Sequence, residues 1–275
     1  MANRSVIQRA RPSGRAHGVK GLLAGPHGPG SAVFEALALY SIDYERIRVD
    51  FTNQTTVTEV ASDGPLAYAE SVAGNAIAKL TPTAARPSHA QITIAADAGA
   101  TSAVTLAFPK MALAEQHCYI EAKFDMDDVT DIELSLGFVD AVPASAADIL
   151  GDIDTPTFAG GIADAAVIGL DTAQTFKTAS LVTIGTSTTV GKTDLPTAAP
   201  VGVPTINVQV IWRVELRNDR AFAFVNGMLV AERVGPDIAT LLTPVVLWAS
   251  KANDALEVRC DYIEFGQERV GAPLF

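Results

Sequence analysis

Cysteine, histidine and aromatic residues are scarce in this chain, and each shortage removes a class of chemistry. Two cysteines, Cys118 and Cys260, are too few for a disulfide-built scaffold or a cysteine zinc site. The four histidines, His17, His27, His89 and His117, show no zinc-ligand spacing such as HExxH. No GxGxxG, P-loop or GxSxG motif occurs, so the common dinucleotide, phosphate and acyl-transfer signatures are missing. No apolar run approaches the roughly 18 residues of a membrane-spanning helix. The opening residues MANRSVIQRARPSGRAHGVK are basic but lack an apolar core, which is not the pattern of a secretory leader. No cofactor and no metal are implied, and catalytic residues are expected to be none.

What is present is a strong asymmetry of charge. The 275 residues carry 20 Lys+Arg against 31 Asp+Glu, a net of −11. Residues 1–34 hold Arg4, Arg9, Arg11, Arg15 and Lys20 and no acid, leaving 15 bases against 31 acids in the rest. A body of that sign repels nucleic acid and anionic membrane, so neither is expected as a partner. The basic segment also contains Pro12, Pro26 and Pro29 and glycines at 14, 18, 21, 25, 28 and 30. Such a composition cannot bury a core of its own. It reads as an arm that orders on a partner surface, or else as a solvated tail. Ser31–Leu39 (SAVFEALAL) fits a short helix, with Ser31 as N-cap and Val33, Phe34 and Leu37 along one face.

From Tyr40 the texture changes to short runs of period two, the mark of half-buried strands. They include IRVDF (47–51), AIAKL (76–80), QITIAA (91–96), SAVTLAF (102–108), IELSLGFVD (132–140), AVIGLD (166–171) and SLVTIGT (180–186). In CYIEAKFDM (118–126), Cys118, Ile120, Ala122, Phe124 and Met126 alternate with Tyr119, Glu121, Lys123 and Asp125. INVQVIWRVELR (206–217) alternates over its whole length and puts Trp212 in the apolar phase. RAFAFV and MLVAER flank Asn226-Gly227, the dipeptide that favours a two-residue hairpin turn because both residues tolerate positive φ. PVVLWAS (244–250) and LEVRCDYIEF (256–265) follow. Between them, ADIL (147–150) suggests a helical turn, and TSTTVGKTDLPTAAPVGVP a long exposed loop. The density of alternating runs predicts an all-β, antiparallel sandwich or barrel.

The order of these features, yIEAkF, then elslGFvD, VIWRVELR, AFAFVNGMLVAE and cDYIEFgQER, resembles the concanavalin A-like lectin/glucanase sandwich. It is most similar to versions found in virion proteins of tailed bacteriophages, over roughly residues 45–269. The resemblance implies a two-sheet antiparallel jelly roll over 40–275 with an extended N-terminal arm over 1–39. It implies a non-enzymatic capsid decoration (cement) protein on the outer capsid surface, assembled in the host cytoplasm. Its partners would be the major capsid protein and neighbouring copies of itself, as a homotrimer by analogy, with Arg4, Arg9, Arg11, Arg15 and Lys20 on the binding arm. The alternatives it leaves are a carbohydrate-binding or host-adhesion module of a tail or fibre, and a glycoside hydrolase.

The hydrolase reading requires the paired carboxyls of that chemistry. The glucanase pattern E-x-D-x-(x)-E has its nearest match at Asp131 and Glu133. Val129 stands where the first acid belongs, and Ser135 and Leu136 where the last does. Asp125, Asp127, Asp128 and Asp131, and separately Asp148, Asp152 and Asp154, are loop acids that either coordinate Ca²⁺ or form solvated turns. Phe158 and Phe176 are the loop aromatics available for sugar stacking. Cys118 and Cys260 share the inward phase of their strands and form either a disulfide or two reduced, buried thiols.

Overall fold

The protein is described by a computed structural model that covers residues 6–9, 44–50, 67–71, 81–83, 86–94, 102–142, 148–175, 177–185, 188–198, 201–237, 239–251 and 255–268. Nineteen strands lie within these residues. They are β1 (Val6–Arg9), β2 (Tyr44–Asp50), β3 (Ala67–Ser71), β4 (Thr81–Thr83), β5 (Arg86–Ile94), β6 (Ser102–Ala107), β7 (Ala112–Leu113), β8 (Cys118–Met126), β9 (Ile132–Val139) and β10 (Leu150–Asp152). The others are β11 (Thr157–Phe158), β12 (Ala165–Asp171), β13 (Ser180–Gly185), β14 (Thr188–Asp194), β15 (Val210–Arg217), β16 (Arg220–Val225), β17 (Met228–Val234), β18 (Leu241–Ser250) and β19 (Leu256–Glu268). A single 3-10 turn, Ala114–Gln116, interrupts them among the described residues.

Two antiparallel sheets form the sandwich. Sheet I has the order β1-β2-β19-β8-β15-β16-β17, with β5 also beside β19 and β4 beside β5. Sheet II has the order β14-β13-β12-β9-β18-β6-β3, with β7 beside β18. The main core lies between them. It takes the apolar phase of β8 and β15 from sheet I and Leu134, Leu136, Phe138, Val246 and Trp248 from sheet II. Phe124 sits edge-on to both Trp212 (5.7 Å) and Trp248 (6.0 Å), so one ring ties the two sheets together.

A second apolar cluster lies on the far side of sheet II. Ile149, Leu150, Ile153 and Ile162, from the segment joining β9 to β12, pack on Val139, Val167, Val182, Val245 and Leu247. Gly169 makes room for this cap, because a Cβ there would lie 2.0 Å from Leu150 Cδ1. The all-β jelly-roll prediction holds. Three local expectations do not. The ADIL turn gives way at Leu150 to β10, whose backbone pairs with β11. Thr188–Asp194 is not exposed loop but β14, because pairing with β13 satisfies its backbone groups. Gly191-Lys192-Thr193 therefore lies in a strand, and Thr186 stands where a P-loop needs its first glycine. Residues 206–209 are not strand, since Asn207 takes φ 58° and its N–H bonds Met126 O, which leaves Ile206 and Val208 exposed. The proposed helix at 31–39 and the run at 76–80 lie outside the described residues.

The N-terminal segment contributes β1, which runs antiparallel beside β2. The β16–β17 hairpin turns on Asn226 (φ 50°) and Gly227 (φ 79°), with Val225 opposite Met228. Ala221, Ala223 and Val225 enter the core, and Phe222 and Phe224 occupy the other face. Asn226 also accepts the Ile211 N–H on Oδ1 at 2.9 Å, which fixes the turn to β15. A side chain at a left-handed position costs about 1–2 kcal/mol. Gly227→Val should therefore lower Tm by roughly 2–8 °C, read by thermal unfolding.

Candidate functional site

The cross-strand register of sheet I places charged and phenolic side chains in rows on the face turned away from the core. One row reads Arg48, Glu264, Glu121, Arg213, Phe224 across β2, β19, β8, β15 and β16. The next reads Arg46, Gly266, Tyr119, Glu215, Phe222. Two carboxylates thus stand directly opposite each other on β8 and β19, with an arginine outside each.

These side chains are buried although they lie on the non-core face. Glu264 is 0% exposed, Glu121 1%, Glu215 1%, Tyr119 1% and Arg213 3%. A buried carboxylate without a partner costs several kcal/mol, so the compensation decides what the cluster is. Tyr262 Oη donates to Glu121 at 2.6 Å, and Tyr119 Oη donates to Glu264 at 2.5 Å. Arg213 pairs with Glu215 and stands 3.7 Å from Glu121. Arg46 pairs with Glu264, and Arg48 stands 3.7 Å from the same carboxylate. The guanidinium groups also stack. Arg213 lies 4.2 Å from the centroid of Tyr119, and Arg48 lies 3.9 Å from that of Tyr262. Burial, and then the Glu264 charge, push the Tyr119 phenol well above its usual range. Burial and the Glu121 charge do the same for Tyr262. Both phenols therefore stay protonated and donate.

The row continues downward with simpler pairs. Lys123 bonds Asp261 at 2.6 Å, and Arg259 meets Asp125 at 2.6 Å. The register slips between Cys260 and Tyr262, so Asp261 is the extra residue of a bulge. That slip turns Tyr262 and Glu264 outward while keeping Ile263 and Phe265 in the core.

The acids singled out from the sequence sit elsewhere. Asp131 precedes β9 at φ 49°, and its carbonyl accepts the Lys251 N–H, so it does not share a strand face with Glu133. Glu133 is buried on the cap side of sheet II. There Lys251 Nζ meets it at 2.8 Å, Asp171 at 2.7 Å and Asp148 at 3.6 Å. Burial pushes the Glu133 carboxyl well above the usual carboxylate range. Asp127 accepts the Glu257 N–H at 2.8 Å, and Asp128 accepts those of Val129 and Thr130 at 2.6 and 2.9 Å. Asp152 accepts the N–H of Asp154 at 2.7 Å, and Asp154 accepts that of Thr175 at 3.2 Å. Asp128 and Asp152 thus form local turns, while Asp127 and Asp154 tie together distant segments. Among the described residues, no group of three or more acids, histidines or cysteines is placed to hold a metal ion. Cys118 and Cys260 are free thiols. The register sets Cys118 opposite Gln267 and Cys260 opposite Phe124, at different heights of the β8–β19 pair. Burial pushes both thiols up. Phe158 is half-buried in the cap, and Phe176 lies outside the described residues. Of the arm residues, Arg9 lies in β1, while Arg4, Arg11, Arg15 and Lys20 lie outside the described residues.

Sequence reading assigned Tyr119, Glu121 and Asp125 to a polar face without seeing that the face is closed. The signal available was an arginine or a glutamate in the polar phase of each of the facing runs RIRV, WRVEL and YIEF.

No family model matches the sequence, and no curated protein matches it. Solved structures do match in fold. An endo-acting O-glycanase of human gut microbiota superposes with a TM-score of 0.53 at 6% identity, covering 81% of this chain and 98% of the other. LamA from Z. galactanivorans, in complex with laminaritriose and laminaritetraose, gives 0.51 at 8% identity, covering 80% and 97%. A protein of unknown function from Shewanella oneidensis MR-1 gives 0.50 at 11% identity, covering 89% and 99%. The chain has the concanavalin A-like jelly-roll sandwich fold.

The ion rows make a graded prediction about stability. Arg213→Met leaves Glu121 and Glu215 buried with one cation fewer and should cost about 3–5 kcal/mol. Arg220→Met breaks the exposed pair with Glu232, in which the side chains are 52% and 41% exposed, and should cost less than about 1 kcal/mol. Urea unfolding of the two variants measures both.

Proposed function

We propose that this protein is a non-enzymatic structural component of a virion, a sandwich that decorates and stabilises a phage capsid and is held there by its N-terminal arm. The observation that carries the non-enzymatic part is the closure of the Glu121–Glu264 pair. A retaining glycosidase uses two carboxyls about 5–5.5 Å apart, one of them free to protonate a leaving group and the other to attack. Here each carboxylate accepts a tyrosine hydroxyl and faces an arginine, and neither is open to solvent. The other candidate acid, Glu133, is likewise buried and paired with Lys251.

Support for the virion setting comes from the arm and from the resemblance of the strand order to tailed-phage proteins. The arm is basic and the sandwich acidic, so the arm complements an acidic shell. An extended segment covers much surface for its size, and many copies on a symmetric shell offset weak individual contacts. The partners in this reading are the major capsid protein and neighbouring copies, in a homotrimer on the outer surface.

A second reading is a carbohydrate-binding or adhesion module of a tail or fibre. What favours it is the fold shared with proteins that act on or were solved with glycans. Deletion of residues 1–34 separates the two. The structural reading predicts cooperative unfolding in the shortened protein, because only the four-residue edge strand β1 is lost from the described sandwich, together with loss of particle occupancy. Retained occupancy, or saturable binding across a glycan array, would favour the adhesion module.

A further inference from the structure

β1 and β2 are consecutive strands that pair across a long connection. Consecutive antiparallel strands are commonly joined by hairpin loops of about two to five residues. Here residues 10–43 lie between Arg9 and Tyr44. At about 3.3–3.6 Å per residue, a segment of that length reaches on the order of 110 Å when extended, several times the width of a sandwich. The same segment is rich in glycine and proline and contains no acid before Glu35. Nothing in its composition draws it into a short return to its own sheet.

The contact itself is made by backbone. The register sets Val6 opposite Arg48, Ile7 opposite Ile47, Gln8 opposite Arg46 and Arg9 opposite Glu45. Arg9 and Glu45 are oppositely charged, and Ile47 belongs to the main core. Main-chain strand addition at a sheet edge does not distinguish whose strand is added. A connection of this length lowers the effective concentration of the tethered strand, so the same strand of a second copy competes with it for the edge.

We infer that β1 of one copy adds to the β2 edge of a second copy, so that the N-terminal segments fasten sandwiches to one another. The inference rests on the reading of this segment as an anchor and names its partner as another copy of the same chain. Reciprocal exchange closes a dimer, and head-to-tail exchange closes a ring such as a trimer.

The test uses the purified full chain and no particle. Arg9 and Glu45 are cross-strand partners, and such Cα atoms lie about 4.5–5.5 Å apart, within the range a disulfide spans. The native thiols are buried and do not compete. Arg9→Cys and Glu45→Cys chains carrying tags of different mass are co-expressed, oxidised mildly and separated without reductant. The expected result is a covalent heterodimer at least tenfold more abundant than either homodimer. In the double variant, the expected result is dimers or closed rings. A link formed only within one chain of the double variant would overturn the inference. So would the absence of any link, since β1 would then not pair with β2. Melting curves of each variant confirm that the sandwich is intact. Because no capsid takes part, loss of the virion reading leaves this result standing, and the reverse holds as well.

Discussion

The constraint on which sheet I depends is that its three central strands are buried on both faces while one face is charged. Glu121, Glu215 and Glu264 are closed off from water, and each needs a donor within reach. That need fixes neighbours. Arg213 pairs β15 with β8, and the two tyrosine hydroxyls tie β8 to β19 in both directions. Arg46 and Arg48 bring β2 to the far side of β19. Strand order is thus written in ion pairs on one face and in the Phe124–Trp212–Trp248 packing on the other. A buried ion pair is no stronger than well-packed apolar groups would be, but a wrong register would strand a charge. Register, more than stability, is what this network supplies.

Sheet II solves the same problem by different means. Its outer face is apolar and is covered by the chain's own cap at Ile149, Leu150, Ile153 and Ile162. A charged cluster, Lys251 with Glu133, Asp148 and Asp171, sits at the end of that layer. Both outer faces are therefore occupied within the described residues, one by ions and one by a folded-over segment. Among the described residues, exposed backbone edges and apolar side chains lie at the margins of the sandwich. The β2 edge with its long-tethered β1, and the exposed apolar residues Val208, Met228 and Leu229 near the hairpin end, are of that kind. A body closed on both faces and joined to others at its margins is the physical content of the structural reading.

Much of the fold was legible in residue pattern. Period-two runs located β8, β9, β12, β13, β15 and β18, and Asn226-Gly227 located the hairpin, because alternation and turn chemistry are local properties. β14 was missed because threonines and glycines in GTSTTVGKT resemble a loop until a partner strand satisfies their backbone. The cap was missed because its apolar residues have no single period and acquire a face only against sheet II. The extension of β15 to Ile206 was overread, since alternation continues in sequence past the left-handed Asn207 that ends the strand. For the site, the sequence pointed to Asp131 and Glu133, two acids close in the chain. The carboxylates that do face each other, Glu121 and Glu264, are distant in sequence and meet only through the β8–β19 register.

The central claim is that these paired carboxylates hold strands together and do not turn over substrate. Incubation of the purified protein with a panel of β-glucans, alginate and mucin O-glycans, followed by product analysis, tests it most directly. The account predicts no product above the buffer control. Release of oligosaccharide that is lost in a folded Glu121→Gln or Glu264→Gln variant would contradict it.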